Sequence, residues 1–233
     1  MKLTVLGCNG PFPAAGGACS GYLLEEGSTR VLLDCGTGTL ARLTALVPPE
    51  ALDAIVLSHL HYDHMSDMLP LIYALQGKEK RLIVYAPQEP ASVRALLAGA
   101  FDLRDIAQGG QIGPLRMTAL PVRHPVPSYA TRFEASGRAF CYTGDTNTCA
   151  GLAAFAAGCD LLLADACFPG ALWAENKPHL SARLAAELAR EAGAARLVLT
   201  HFRPDIPTET LLAEAREVFP AAMAAESSLT IEF

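Results

Sequence analysis

Asp53-Ala-Ile-Val-Leu-Ser58, followed at once by His59-Leu-His-Tyr-Asp-His64, decides the reading of this 233-residue chain. The first six residues are an apolar run of strand length. The next six hold half of the chain's 6 histidines together with an aspartate. A lone histidine is ordinarily a satisfied polar residue. Three in one hexapeptide beside a carboxylate are the donor chemistry of a transition-metal site. Just past a strand the chain is extended and residues two apart face the same way, so His59, His61 and Asp63 are expected on one side. The chain then turns into a helix that swings His64 round to a second point. Met65, Met68, Leu69, Ile72 and Leu75 follow at helical spacing, with Asp67 as N-cap and Pro70 in the first turn, where its missing N–H breaks no bond.

The other three histidines, His124, His179 and His201, each stand near the start or end of a predicted strand or helix. Tyr142-Thr-Gly-Asp-Thr146 ends a further strand, and Gly144 would let the backbone come close to a site while Asp145 projects from the turn. An Asx-type turn is the alternative for Asp145. Set beside spare histidines, it becomes a bridging carboxylate. The four donors of residues 59–64, with His124, His201 and Asp145, suffice for two metal ions that each keep an open position for water.

No linker, repeat or low-complexity segment interrupts the sequence, so residues 1–233 are read as one domain. Apolar residues make up 51% and charged residues 18%, which excludes disorder. No apolar run approaches the roughly 18 residues of a spanning helix. Net charge is −6, so a nucleic-acid partner held mainly through its phosphates is unexpected. The basic run Lys78-Glu-Lys-Arg81 is read as a solvated loop. Seven cysteines, an odd number without CxxC spacing, point to free thiols in a reducing cytoplasm. The apolar stretch before Cys8 is too short for a signal peptide and reads as the first strand. A mean hydropathy of +0.26 points to an oligomeric surface, a homodimer being the expectation.

Short strands are expected at 3–6, 22–25, 31–34, 53–58, 82–85, 115–122, 129–134, 138–143, 161–164, 197–200 and 229–232. Helices are expected at 90–98, 152–157, 181–192 and 208–218. Strands and helices grouped twice over suggest a sheet sandwich covered by helices on both sides. Tyr62, Tyr129, Phe168, Trp173 and Phe202 are assigned to core packing.

The HxHxDH run at 59–64, the lone His124, Gly144-Asp-Thr146 and Leu199-Thr-His201 together resemble the metallo-β-lactamase superfamily, in order and spacing, over essentially the whole chain. The resemblance implies an α/β fold, the four-layer αββα sandwich, with a dinuclear centre at one sheet edge. It implies His59, His61 and His124 as ligands of the first metal, Asp63, His64 and His201 as ligands of the second, and Asp145 as the bridge. Zinc is the expected metal, with manganese and iron also suited to such donors. Asp34, in Leu32-Leu-Asp-Cys-Gly36, falls where the superfamily has a buried supporting aspartate. Lys177-Pro-His-Leu-Ser181, ahead of a helix, resembles the ribonuclease Z and phosphodiesterase branch, in which a histidine there donates a proton. Asp63 and His179 are thus the catalytic candidates.

Three departures set the chain apart from ribonuclease Z. Only 20 residues separate His124 from Asp145, too few for the arm that holds transfer RNA. Phe202-Arg-Pro-Asp205 replaces Ser-x-Arg-aromatic, and Met65-Ser-Asp-Met-Leu-Pro70 replaces Gly-Leu-Pro-Gly. A small or nucleotide-type phosphodiester is therefore expected in place of a full transfer RNA. It would be attacked by a metal-bridging hydroxide, with His179 as general acid. The alternative is a lactonase or thioesterase-type acyl hydrolase on the same metal site.

Overall fold

The computed structural model describes residues 1–78 and 81–233. Of the basic run Lys78–Arg81, Lys78 pairs with Glu50 at 2.7 Å and Arg81 donates to the Phe101 carbonyl. The remainder of that run lies outside the described residues. Two seven-stranded mixed sheets face one another. The first runs β14 (Thr230–Glu232), β1 (Lys2–Gly7), β2 (Gly21–Glu26), β3 (Thr29–Leu33), β4 (Ala54–Val56), β5 (Ile83–Ala86), β6 (Asp102–Asp105). The second runs β13 (Met223–Ala224), β12 (Leu197–Thr200), β11 (Leu161–Asp165), β10 (Arg138–Tyr142), β9 (Ser128–Ala135), β8 (Leu115–Val122), β7 (Gly110–Ile112). In each sheet the pairing is antiparallel on one flank and parallel on the other.

The central strands of the first sheet, β2 to β5, each hold an unbroken apolar run because both of their faces are buried. Tyr22 and Leu24 of β2, and Val31 and Leu33 of β3, point into the space between the sheets. Leu23 and Leu32 point the other way, where they pack with Leu43 of α1 (Thr39–Thr44), Met65 of α2 (Tyr62–Met65) and Leu71 of α3 (Met68–Ala74). The short α4 (Ala91–Arg94) joins that layer through Val93. On the far side α5 (Leu152–Phe155), α6 (Ala182–Ala192) and α7 (Thr208–Arg216) cover the second sheet. Helix α6 lays down an alanine face of Ala182, Ala185, Ala186 and Ala189, begins on a Ser181 hydroxyl that accepts the Leu184 N–H, and ends at Gly193 with φ 63°. The layers are α, β, β, α, the sandwich that the motifs imply.

Strands β6, β7 and β13, which patterning leaves as loops, all lie at or next to a sheet edge. Such strands are short, and Asp102-Leu-Arg-Asp105 carries charge in place of an apolar alternation. The helix expected over 90–98 is regular only across Ala91–Arg94. Asp67 does stand at the N-cap position of α3, but its carboxylate accepts the Leu40 N–H and so serves the start of α1 instead. All seven cysteines are free thiols. Among the described residues, no helix is long and apolar enough to cross a membrane.

Candidate metal centre

Four strands, β4 of the first sheet and β8, β10 and β12 of the second, deliver their C-terminal ends to one edge of the sandwich, where ligands collect in such layers. Strand β4 leads to Ser58 and His59, β8 to His124, β10 to Asp145 and β12 to His201. Nε2 of His59 and Nε2 of His124 each lie 3.1 Å from Nδ1 of His61. Nitrogens held 2.0–2.1 Å from one tetrahedral ion are spaced by roughly 3.3 Å, so these three rings could hold one ion together.

A second set forms beside it. Oδ2 of Asp145 lies 3.2 Å from Nε2 of His64, 3.3 Å from Nε2 of His201 and 3.6 Å from Nε2 of His59. Asp145 thus reaches both sets. Asp63 departs from the extended-chain expectation. Helix α2 starts at Tyr62, so Asp63 turns away from His59 and His61, and its Oδ2 lies 3.6 Å from Nε2 of His64 and 3.8 Å from Nε2 of His201. The same early turn leaves Tyr62 69% exposed at the rim, outside the core to which it was assigned.

Behind the donors stands Asp34, buried and with φ 54°, a left-handed conformation that aspartate tolerates better than most residues. Its carboxylate accepts from the Ser58 N–H at 2.7 Å, the Ser58 hydroxyl at 2.9 Å, the Tyr142 hydroxyl at 2.8 Å and Nδ1 of His64 at 2.8 Å. The last bond leaves Nε2 of His64 to face Asp145. Nδ1 of His124 donates to the Pro178 carbonyl at 3.1 Å, again freeing Nε2 for the centre.

His179 joins the cluster through Nδ1, 2.8 Å from Oδ2 of Asp165 and 3.7 Å from Oδ2 of Asp145. Asp165, at the end of β11, is invisible to motif reading because it stands in an apolar strand, Leu161-Leu-Leu-Ala-Asp165. The Thr146 and Cys167 amides hold it in place. Asn147 escapes notice for a similar reason. It is buried, and its amide donates to the carbonyls of Ala174, Glu175 and Lys177, tying the loop before His179 to the strand end that carries Asp145.

The electrostatics fit a cation. Burial pushes His59 and His201 well below the usual imidazole range, and His124 down to about 4, so these rings are neutral donors. Burial pulls His64 the same way, but Asp145, Asp34 and Asp63 surround it and drive its pKa up. Burial likewise opposes the charge on His179, yet Asp165 and Asp145 outweigh it and raise its pKa to about 9. Nε2 of His64, Nε2 of His201 and Oδ1 of Asp145 are buried without a hydrogen-bond partner. Buried donors and acceptors are rarely left so, and the two ring nitrogens, at 3.2 and 3.3 Å from Oδ2 of Asp145, stand where an ion could satisfy them.

Gly10 bears on the same point. A Cβ at this position would overlap the ring atoms of His201. Gly10→Ala is expected to displace His201 and to lower the bound metal per chain, measured by atomic emission on dialysed protein, with little change in the fold by circular dichroism.

Imidazoles and carboxylates gathered at the strand ends of an αββα sandwich define a metal-dependent hydrolase. The chain belongs to the beta-lactamase superfamily, whose domain model matches residues 29–202. It is 37% identical over 229 residues to the probable metallo-hydrolase YhfI of Bacillus subtilis, with 94% of each chain covered. It is 30% identical over 273 residues to a ribonuclease Z of Methanopyrus kandleri, covering 99% of this chain and 97% of the relative. The crystal structure of the B. subtilis protein YhfI superposes with a TM-score of 0.93 at 34% identity over 99% of both chains. That of the short form of human tRNase Z superposes with a TM-score of 0.81 at 22% identity, covering 100% of this chain and 99% of that one. These relatives accord with the ribonuclease Z-like branch to which the segment around His179 pointed.

Proposed function

We propose that this protein is a phosphodiesterase acting on a small or nucleotide-type phosphodiester. Two divalent ions, zinc first and manganese or iron as alternatives, would be held by His59, His61 and His124, by Asp63, His64 and His201, and by Asp145 between them. Ions there supply Lewis-acid charge and acidify water. Against four positive charges, Asp63 and Asp145 return two negative ones, so the centre is cationic and suits an anionic ester.

The observation that carries the reading is the His179–Asp165 pair. Asp165 fixes Nδ1 of His179, which puts Nε2 on the opposite edge of a ring packed between His201 and His124, with centroids 4.9 and 5.4 Å away. A phosphodiester with an alkoxide leaving group needs a proton donor at that position, and His179 holds one. Hydrolysis of a thioester would leave this pair idle, because a thiolate departs without a proton. The identity to a protein named ribonuclease Z supports the same class. The connection between β8 and β9 is only residues 123–127, which favours a compact substrate over a folded RNA.

The test is turnover of bis(p-nitrophenyl) phosphate by zinc-loaded and manganese-loaded protein, beside a panel of lactones and thioesters. Phosphodiester cleavage is expected. Cleavage of acyl esters alone would overturn the reading. Chelation supplies a companion prediction. Each ion present at about 1,000 times its Kd stabilises the fold by about 4 kcal/mol, so loss of even one is expected to lower the melting temperature roughly 8–16 °C by calorimetry.

A further inference from the structure

We propose that the cavity between residues 123–125 and 176–178 is a second phosphate subsite, and that the substrate is a phosphodiester carrying a further phosphate group. The proposal rests on the phosphodiesterase reading and narrows it. The cavity, of about 230 Å³, is lined by Arg123, His124, Pro125, Asn176, Lys177 and Pro178. His124 lines this cavity and also belongs to the first ligand set, with Nδ1 toward Pro178 and Nε2 toward His61, so a group held in the cavity lies one imidazole ring from the centre.

Two cations line it in a chain whose net charge is −6. Arg123 faces Glu175 at 3.9 Å, but that carboxylate is 83% exposed and contributes little. Lys177 has no carboxylate partner among the described residues. Its ammonium lies 5.4 Å from the centre of the Phe168 ring, and that ring is 5.9 Å from the ring of His179. A simple diester brings one negative charge, which the centre itself answers. Two further cations beside it match a second anion, and because the Phe168 ring lies between the Lys177 ammonium and the ring of His179, that anion would fall on the side of the proton donor.

The subsite is built in advance of substrate. Asn147 holds the carbonyls of Ala174, Glu175 and Lys177, the last at 2.6 Å. Pro178 is tied to His124, and Nε1 of Trp173 donates to the His179 carbonyl at 3.1 Å. Ordering such a loop on binding would otherwise consume affinity. Fixing it keeps the two charges at a set distance from the reacting phosphorus.

The experiment compares thymidylyl-thymidine with the same dinucleotide phosphorylated at its 5′ or its 3′ end, using metal-loaded protein. One phosphorylated form is expected to exceed the plain dinucleotide in kcat/KM by about tenfold or more, the scale of a charge-assisted contact. Replacing both cations (Arg123→Ala with Lys177→Ala) is expected to collapse that ratio, whereas Arg123→Lys with Lys177→Arg retains most of it. Calorimetry of thymidine 3′,5′-bisphosphate against thymidine 5′-monophosphate gives the same ratio as binding. Equal kcat/KM for all three dinucleotides, or a preference that survives loss of both cations, would overturn the subsite. If no diester is cleaved, the phosphodiesterase reading fails, and the calorimetric ratio alone decides whether the subsite exists.

Discussion

Replacing His179 with alanine is expected to lower the turnover of a dinucleotide by about 10²–10⁴, the range for a positioned general acid. Metal content should stay at the native level, because every donor of the two ligand sets remains. The loss should be far smaller on bis(p-nitrophenyl) phosphate, since p-nitrophenolate departs without a proton. That contrast separates a proton donor from a group that merely shapes the site. Asp165→Asn is expected to fall between, lowering kcat more than it raises KM. The amide keeps the contact to Nδ1 of His179 but removes the negative charge 2.8 Å away that holds the proton on the ring.

The second large effect belongs to Asp34. Asp34→Ala removes the shared acceptor of the Ser58 amide, the Ser58 hydroxyl, the Tyr142 hydroxyl and Nδ1 of His64, all of them buried, and leaves the Ser58 hydroxyl only its contact to Nδ1 of His59. It also leaves alanine at φ 54°. Breaking a buried charged cluster on one side costs about 3–5 kcal/mol. For a chain of this size the melting temperature is expected to drop by about 6–20 °C. Thermal unfolding of metal-free protein checks this without interference from ion binding. A change of only a degree or two would mean that the neighbours find other partners.

The central strands, placed along the chain, and the cluster at 59–64 were readable because they depend on local pattern. Apolar runs of four to six residues and three histidines in a hexapeptide carry their meaning alone. Edge strands such as Asp102–Asp105 were not readable, because their pairing depends on a neighbour and not on an apolar face. The candidate donors were named from the motifs, and the structure brings all of them together. Which donor joins which set depended on one residue of helix boundary, where Asp63 turned with His64. Asp165 and Asn147 stayed hidden because buried polar residues in unremarkable segments acquire roles only when partners distant in sequence arrive, Lys177 for Asn147 and His179 for Asp165.

The donors are also spread unevenly along the chain. His59, His61, Asp63 and His64 come early, on the first sheet, whereas His124, Asp145 and His201 follow β8, β10 and β12 of the second. A ribosome adding about 5–20 residues per second therefore takes on the order of 7–27 s to travel from His64 to His201. For that interval the nascent chain carries an unfinished chelator, open to any passing cation. The proposed first set is complete once His124 is made, but the second waits for His201 and for the two sheets to close, so filling of that second set would be a late event in the birth of this protein.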